Sequence, residues 1–240
     1  MDSLGGRVIL WQRLFFVDIK QTDNHHQMNF LRKHWYDLGI FFSAVIIICI
    51  FKYHNSLTNY QCMMWLSLVS LFFHQLEEYR IVGTFPGMLN TALYKSEIPD
   101  RYPLNTNTAL YVNVIVGWTF YFFAAFFAEK AIWLGLATIL ISFGNIIAHT
   151  FLFNIKGKTI YNAGLATCWM FFAPCVYFFF SIVYNEHLIT TTDYFIGIPL
   201  GITLNVIGVL KLIDWMANRK TTYIFEDRNL LLKDRKKNSR

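Results

Sequence analysis

The chain has 240 residues, of which 55% are hydrophobic and only 15% are charged. Soluble domains carry about 25% charged residues, so this composition argues against a soluble globular protein and favours a membrane protein. The formal net charge of +6 is concentrated toward the two ends of the chain and therefore does not indicate nucleic-acid binding. The 4 cysteines lie in or beside apolar runs without metal-type spacing, which predicts buried thiols rather than a secreted disulfide framework.

The first 34 residues are polar and mixed, and we treat 1–34 as a cytoplasmic N-terminal segment. Its short apolar run is interrupted by Arg13 and lacks a cleavage site, so it is not a secretory signal. Met28 opens a basic patch that leads directly into an apolar run, as at the start of many membrane proteins. Residues 1–27 are therefore expected to be a dispensable extension or to precede the native start of the protein.

Apolar runs of about 20 residues are long enough to cross a bilayer as helices. We predict an all-α, polytopic membrane bundle of about six transmembrane helices within residues 35–215. The predicted spans are about 35–53, 60–79, 108–128, 131–153, 163–185 and 193–215. A basic cytoplasmic tail, 216–240, follows the last span, and we expect it to rest on anionic lipid or to be solvated.

The distribution of Lys and Arg predicts the orientation of these helices. Of the 21 basic residues, only Lys52 and Lys130 lie on the side of the membrane opposite to the termini. Basic residues accumulate on the cytoplasmic side, so both termini are predicted to be cytoplasmic. We expect a bacterial inner membrane as the location.

The stretch 71-LFFHQLEEYRIVG-83 combines an imidazole and two carboxylates at the end of an apolar run. His74, Glu77 and Glu78 are spaced i, i+3, i+4 and can share one helical face. Asn145 and His149 are spaced i, i+4 in the fourth predicted span and lie at about the same depth. Charged groups cost about 2.5–3.5 kcal/mol within a span, so a chain that retains them usually pairs or uses them.

Further polar residues are predicted for the same layer, which would form a pocket open to the cytoplasm. The supporting polar residues are Asn113, Tyr161 and Asn162. Plainer interpretations exist for each member: the glutamates can mark the end of a helix, and a single buried histidine can simply bond to a neighbour. The combination is more specific than any one of its members.

Two imidazoles with carboxylates and amides can bind a divalent metal, either zinc with an open position for water or non-haem Fe(II). We predict His74, Glu78, His149 and Asn145 as the metal site, with Glu77 as general base; the two glutamates can exchange roles. This chemistry favours a metal-dependent hydrolase of an amphipathic or lipid substrate.

Two other classes of function are compatible with the same residues. A proton-coupled transporter would use Glu and His as a proton relay without any metal. A non-catalytic membrane assembly or lipid-binding protein would need the polar groups only for stability. A membrane desaturase is disfavoured, because that class needs a much larger set of histidines within its spans.

The motifs HQLEE and, some 70 positions later, NIIAH resemble those of the HXXEE family of small integral membrane proteins. His74, Glu77 and Glu78 match its HxxEE motif, and Asn145 and His149 match its NxxxH motif. The stretch Tyr161 to Leu165 resembles a further family block in which Pro usually stands at the position of Ala163. The resemblance extends from about Met28 to the sixth span. It implies that these positions act as a unit, and it implies no established activity.

Overall fold

The computed structural model describes residues 4–235, with side chains from residue 28 onward. All regular secondary structure in this range is helical, which confirms the predicted all-α fold. The chain divides into two units, Met1–Trp35 and Tyr36–Arg240. Within the first unit the described backbone is one helical stretch. The second unit contains every side chain of the predicted pocket.

Helices of very different length make up the described chain. The α-helices are α1 (Leu4–Tyr53), α2 (Asn59–Leu76), α3 (Phe85–Met88), α4 (Thr106–Leu110), α5 (Thr119–Phe127), α6 (Ile132–Ile147), α7 (Phe153–Gly157), α8 (Leu165–Thr167), α9 (Ala173–Asn185), α10 (Thr191–Thr203) and α11 (Leu212–Trp215). Many of them continue directly into π-helical stretches, at Glu77–Ile81, Leu89–Leu93, Tyr111–Trp118, Ala148–Leu152, Cys168–Phe172 and Leu204–Lys211.

Four segments of the described chain are long and apolar enough to cross a membrane, which indicates an integral membrane protein. They are Met28–Ser56, Thr106–Gly157, Leu165–Asn185 and Thr191–Trp215. The prediction of about six spans was therefore too high. The helix α2 is present but does not qualify, because polar residues near both of its ends lower its hydropathy. The predicted spans 108–128 and 131–153 both fall within one apolar segment of 52 residues.

That long segment reverses direction at its centre. Ala128 has a positive φ of 46°, and the 3-10 turn Ala128–Ala131 separates α5 from α6. The Tyr121 hydroxyl of α5 lies 3.0 Å from the carbonyl oxygen of Thr138 in α6. In a straight helix, 17 residues would separate these positions by about 25 Å. The two helices therefore form an antiparallel hairpin.

Side-chain caps define where two of the helices begin. Thr58 precedes α2 and forms a reciprocal capping box with Gln61. Thr190 precedes α10 and forms the same arrangement with Asp193. Such caps satisfy backbone N–H groups that have no partner inside the helix.

The helix α10 packs closely against α6 through two glycines spaced four residues apart. A Cβ atom at Gly197 would lie 2.6 Å from the carbonyl oxygen of Trp133, and one at Gly201 would lie 2.8 Å from Leu140. Small residues at this spacing let helix backbones approach each other within membranes. The two glycines of α10 therefore allow its backbone to pack directly against α6.

The described part of the C-terminal tail packs on the loop between α2 and α4. The Asn229 side chain donates hydrogen bonds to the carbonyl oxygens of Tyr79 and Gly83. A Cβ atom at Gly87 would lie 2.7 Å from the Cα atom of Leu230. This part of the tail is thus attached to the protein rather than a solvated end; its last basic residues, 236–240, lie outside the described residues.

Candidate metal centre

Three separate π-helical turns supply side chains to one buried cluster. Glu78 lies in the turn Glu77–Ile81, His149 in Ala148–Leu152 and Cys168 in Cys168–Phe172. His74 lies one turn before Glu78, in the last turn of α2. Turns of π-helix are rare and occur often at functional sites. The cluster thus combines residues from three separate helical segments of the chain.

The two histidines contact the same carboxylate oxygen. Glu78 Oε1 lies 3.4 Å from His74 Nε2 and 3.2 Å from His149 Nε2. All three side chains are buried, and the imidazole rings meet edge to face with centroids 4.9 Å apart. The structure thus brings together three of the four predicted metal-site residues.

Hydrogen bonds on the far side of His149 determine which ring nitrogen carries the proton. The Asn162 amide nitrogen donates to the carbonyl oxygen of His149 and to Asn154 Oδ1, each at 2.8 Å. The amide oxygen of Asn162 therefore faces His149 Nδ1, at 2.6 Å. Because this oxygen can only accept, Nδ1 carries the hydrogen, and Nε2 of the neutral ring presents a lone pair to Glu78.

The same tautomer follows for His74. The Thr167 hydroxyl donates its single hydrogen to Glu77 Oε2, at 2.6 Å. The hydroxyl oxygen also lies 3.0 Å from His74 Nδ1, and it accepts there because its hydrogen is already used. His74 Nδ1 therefore carries the hydrogen, and Nε2 is unprotonated in the neutral ring.

Two lone pairs and a carboxylate oxygen therefore converge on one buried point. Neither His74 Nε2 nor His149 Nε2 has a hydrogen-bond partner, although both are buried. With both rings neutral, three electron-rich atoms at this separation repel one another, and either a metal ion or a proton among them relieves the repulsion. With zinc–nitrogen distances of about 2.0–2.1 Å, the edges of a tetrahedral zinc site are about 3.4 Å long. The observed separations of 3.4 and 3.2 Å fit that geometry.

Residues 65–179 match the HXXEE family. The family is described as "Protein of unknown function with HXXEE motif". This match confirms the resemblance predicted from the HQLEE and NIIAH stretches, and it includes both histidines and both glutamates. No curated protein and no solved structure matches the chain.

Cys168 is a member of the cluster that sequence reasoning missed. One potential ligand atom from each of His74, His149 and Cys168 lies within 4.8 Å of the other two, and these three buried residues can hold a metal ion. The thiol lies 3.8 Å from His74 Nδ1. The only sequence signal was its position next to Thr167 at the start of the fifth predicted span, since no metal-type cysteine spacing accompanies it.

The first glutamate of the HXXEE motif has a different environment from the second. The carboxylate of Glu77 accepts hydrogen bonds from the Tyr161 hydroxyl at 2.6 Å and from the Thr167 hydroxyl. It also accepts from the backbone N–H groups of Ala166 and Thr167, at 3.3 and 2.8 Å. Burial and the bond to Glu77 raise the pKa of Tyr161, so its hydroxyl stays a neutral donor. Glu77 therefore links the HXXEE motif to the start of the fifth predicted span.

A cavity of about 250 Å³ adjoins the cluster and is lined by His74 and Glu78 but not by Glu77. The predicted pocket residues Asn113 and Asn145 line it as well. The amide nitrogen of Asn145 donates to the carbonyl oxygen of Ile141 one turn earlier, at 3.0 Å. The cavity therefore gives a substrate or water access to His74 and Glu78.

Gly164 lies against both imidazole rings. Its φ is +105°, and a Cβ atom there would lie 2.4 Å from His149 Cε1 and 2.8 Å from His74 Cε1. Only glycine adopts this backbone conformation readily. The turn before α8 can therefore close over the two rings only with glycine at this position.

Proposed function

We propose that the protein is a metal-dependent membrane hydrolase that acts on an amphipathic or lipid substrate. The observation that carries the proposal is the pair of buried Nε2 atoms that face one oxygen of Glu78 and have no hydrogen-bond partner. Neutral imidazole is the usual form in which histidine binds a metal. The Nδ1 atoms of both histidines are held by oxygen acceptors, as is common for histidine ligands.

In this proposal His74, His149 and Glu78 hold a divalent ion, either zinc or Fe(II), through the two Nε2 atoms and a carboxylate oxygen. Cys168 lies beside His74 Nδ1, so the alternative set of His74, His149 and Cys168 would need the other tautomer of His74. The ion would lower the pKa of a bound water toward about 7. Glu78 lines the cavity, so we assign it the transfer of the water proton to the leaving group. Water oxygen bonds to the acyl carbon, the acyl–oxygen or acyl–nitrogen bond breaks, and an acid and an alcohol or amine leave.

Glu77, the general base expected from the sequence, has a positioning role in this proposal. Its four hydrogen-bond donors occupy the carboxylate, and it does not line the cavity. Through Thr167 it fixes the tautomer of His74. Glu78 thus combines the ligand role predicted for it with the proton transfer predicted for Glu77, and Glu77 takes neither of the two roles that the sequence left open.

Substitution of each glutamate tests this assignment, with hydrolysis of p-nitrophenyl laurate by the purified protein in detergent as the measurement. We expect Glu78→Gln to abolish hydrolysis, and Glu77→Gln to leave measurable hydrolysis with a lower melting temperature. The opposite pattern, full loss in a stable Glu77→Gln variant that retains metal, would make Glu77 the base. Absence of hydrolysis by the metal-loaded wild type toward esters and amides of any chain length would count against the hydrolase.

A proton-coupled transporter is the second candidate, and one observation favours it. Buried Glu78 connects through His74, Thr167 and Glu77 to the Tyr161 hydroxyl in steps of 3.4, 3.0, 2.6 and 2.6 Å, and Tyr161 is 44% exposed. A proton rather than a metal would then occupy the space between the histidines. Proteoliposomes that contain a pH-sensitive dye distinguish the transporter from the hydrolase. Proton flux through a protein without bound metal would favour the transporter.

We also propose that the cluster faces the cytoplasm of a bacterial inner membrane, with both termini on that side. The support for this orientation is the distribution of Lys and Arg along the chain.

A further inference from the structure

The geometry points to a single hydrocarbon chain with an uncharged ester or amide end as the ligand of the cavity beside Glu78, entering sideways from the bilayer. The inference rests on the proposed function only for the statement that the ester or amide group is the one that is hydrolysed. Binding of the chain itself depends on the cavity and its opening.

The walls of the cavity are mostly apolar and come from several helices. Six of the apolar residues that line it are Leu71, Leu89, Val112, Val116, Ile141 and Val209. The volume of about 250 Å³ lies just below the range of about 300–1,000 Å³ typical of small-molecule sites. One chain therefore fits, whereas a lipid with two chains would have to leave one outside.

The polar side chains that line the cavity favour a neutral group. Besides His74 and Glu78, it is lined by Gln75 and Asn113, whose side chains bond to each other at 3.1 Å. Gln75 Oε1 also accepts from the Trp118 indole at 2.7 Å. Lys and Arg are absent from the lining residues, so no basic side chain of the cavity wall pairs with a free carboxylate. An ester or amide carries hydrogen-bonding atoms without that charge.

The opening of the cavity lies between two apolar segments that can span the membrane. Leu152, Val206 and Leu210 line the cavity and are also 38%, 43% and 44% exposed, as residues at the opening of a cavity are. Leu152 belongs to Thr106–Gly157, and the other two belong to Thr191–Trp215. Because all three rim residues are apolar and lie within these segments, the opening faces lipid rather than water.

Photo-crosslinking in nanodiscs of phosphatidylcholine tests this inference on the full chain. The probe is a monoacylglycerol whose chain carries a diazirine and a terminal alkyne, and mass spectrometry locates the labelled residues. Val116→Trp fills the cavity from the Tyr111–Trp118 stretch, and Val209→Trp fills it from Leu204–Lys211. Ile115→Trp is the matched control, because Ile115 is adjacent to Val116 but exposed on the outer surface.

We expect labels on cavity residues, reduced about tenfold, or about 1.4 kcal/mol, by either cavity-filling variant and unchanged in Ile115→Trp. Unlabelled monoacylglycerol should compete better than the free fatty acid. Labels confined to outward-facing residues, or equal labelling in all variants, would overturn the inference. Equal competition by the fatty acid would overturn the assignment of an uncharged end.

Metal content is measured on the same samples, so the two proposals can fail separately. Labels on cavity residues of a protein without metal would support binding of the hydrocarbon chain and contradict the proposed metal-dependent hydrolase. About one metal ion per chain with no label in the cavity would support the metal site and contradict binding of the hydrocarbon chain. If one cavity-filling variant fails to fold, the other still decides, since the two substitutions lie on different segments.

Discussion

At the scale of single residues, the chemistry of the cluster is determined by groups that never face the cavity. Asn162 and Thr167 each accept a hydrogen from an Nδ1 atom and so direct both Nε2 lone pairs toward Glu78. Removing such an outer partner of a histidine ligand typically weakens metal binding about 10–100-fold. Asn162 and Thr167 should therefore matter for metal affinity although neither need contact the ion.

We expect Asn162→Ala to weaken zinc binding about 10–100-fold, because the His149 ring loses the acceptor that fixes its tautomer. The measurement is competition with a fluorescent zinc chelator. Asn154→Ala is the matched control, since it removes a bond to the Asn162 amide nitrogen but leaves the acceptor of His149. Equal affinities for wild type and Asn162→Ala would show that the His149 tautomer is irrelevant to metal binding.

Part of this cluster could be predicted from the sequence for a simple geometric reason. The i, i+4 spacing places His74 and Glu78 on one helical face, and the depth of two predicted helices brings His149 to the same layer. The contact between Cys168 and His74 joins residues 94 positions apart, and no local pattern indicates it. The different environments of Glu77 and Glu78, which are adjacent, also depend on the position of another helix.

At the scale of helices, π-helical turns and small residues set the positions of the functional groups. The turns that carry Glu78, His149 and Cys168 were not predictable, because a π-turn leaves no periodic signature in a short apolar run. The close approach of α10 to α6 does have a sequence signal, namely glycines at positions 197 and 201. Of these two helices, α6 lines the cavity, through Ile141, Gly144 and Asn145.

We expect Gly201→Leu to destabilise the protein by about 1–3 kcal/mol, because the added side chain would overlap Leu140. The measurement is the midpoint of thermal unfolding in mild detergent. Ile202→Leu, at an adjacent exposed position, controls for the change in the apolar surface of the helix. Unaltered stability of Gly201→Leu would mean that α10 does not pack on α6 as described.

At the scale of the whole molecule, hydropathy alone overestimated the number of spans. It counted α2, whose polar ends now serve the cap at Thr58 and the HXXEE cluster, and it counted α5 and α6 separately although both lie in one apolar segment that folds back as a hairpin. The packing of residues 221–235 on the loop after α2 was also not predictable, since a basic, polar composition is equally typical of a solvated tail. All-helical architecture, by contrast, followed directly from the apolar runs.

Both termini are predicted to be cytoplasmic, because almost all Lys and Arg fall on their side of the membrane. Fusions of alkaline phosphatase and green fluorescent protein to the C-terminus report its side: we expect fluorescence without phosphatase activity. The same reporters placed after Glu186, in the turn between α9 and α10, should give the reverse result. Phosphatase activity of the C-terminal fusion would contradict the orientation.

The metal content of the purified protein tests the central claim most directly. We would express the full chain without a histidine tag and compare wild type, His74→Ala, His149→Ala and the exposed control His54→Ala by elemental mass spectrometry. The account predicts about one zinc or iron per chain in wild type and in the control, and loss of the metal in both cluster variants while they remain folded. Wild type that stays metal-free after reloading, or cluster variants that retain the metal of wild type, would contradict it.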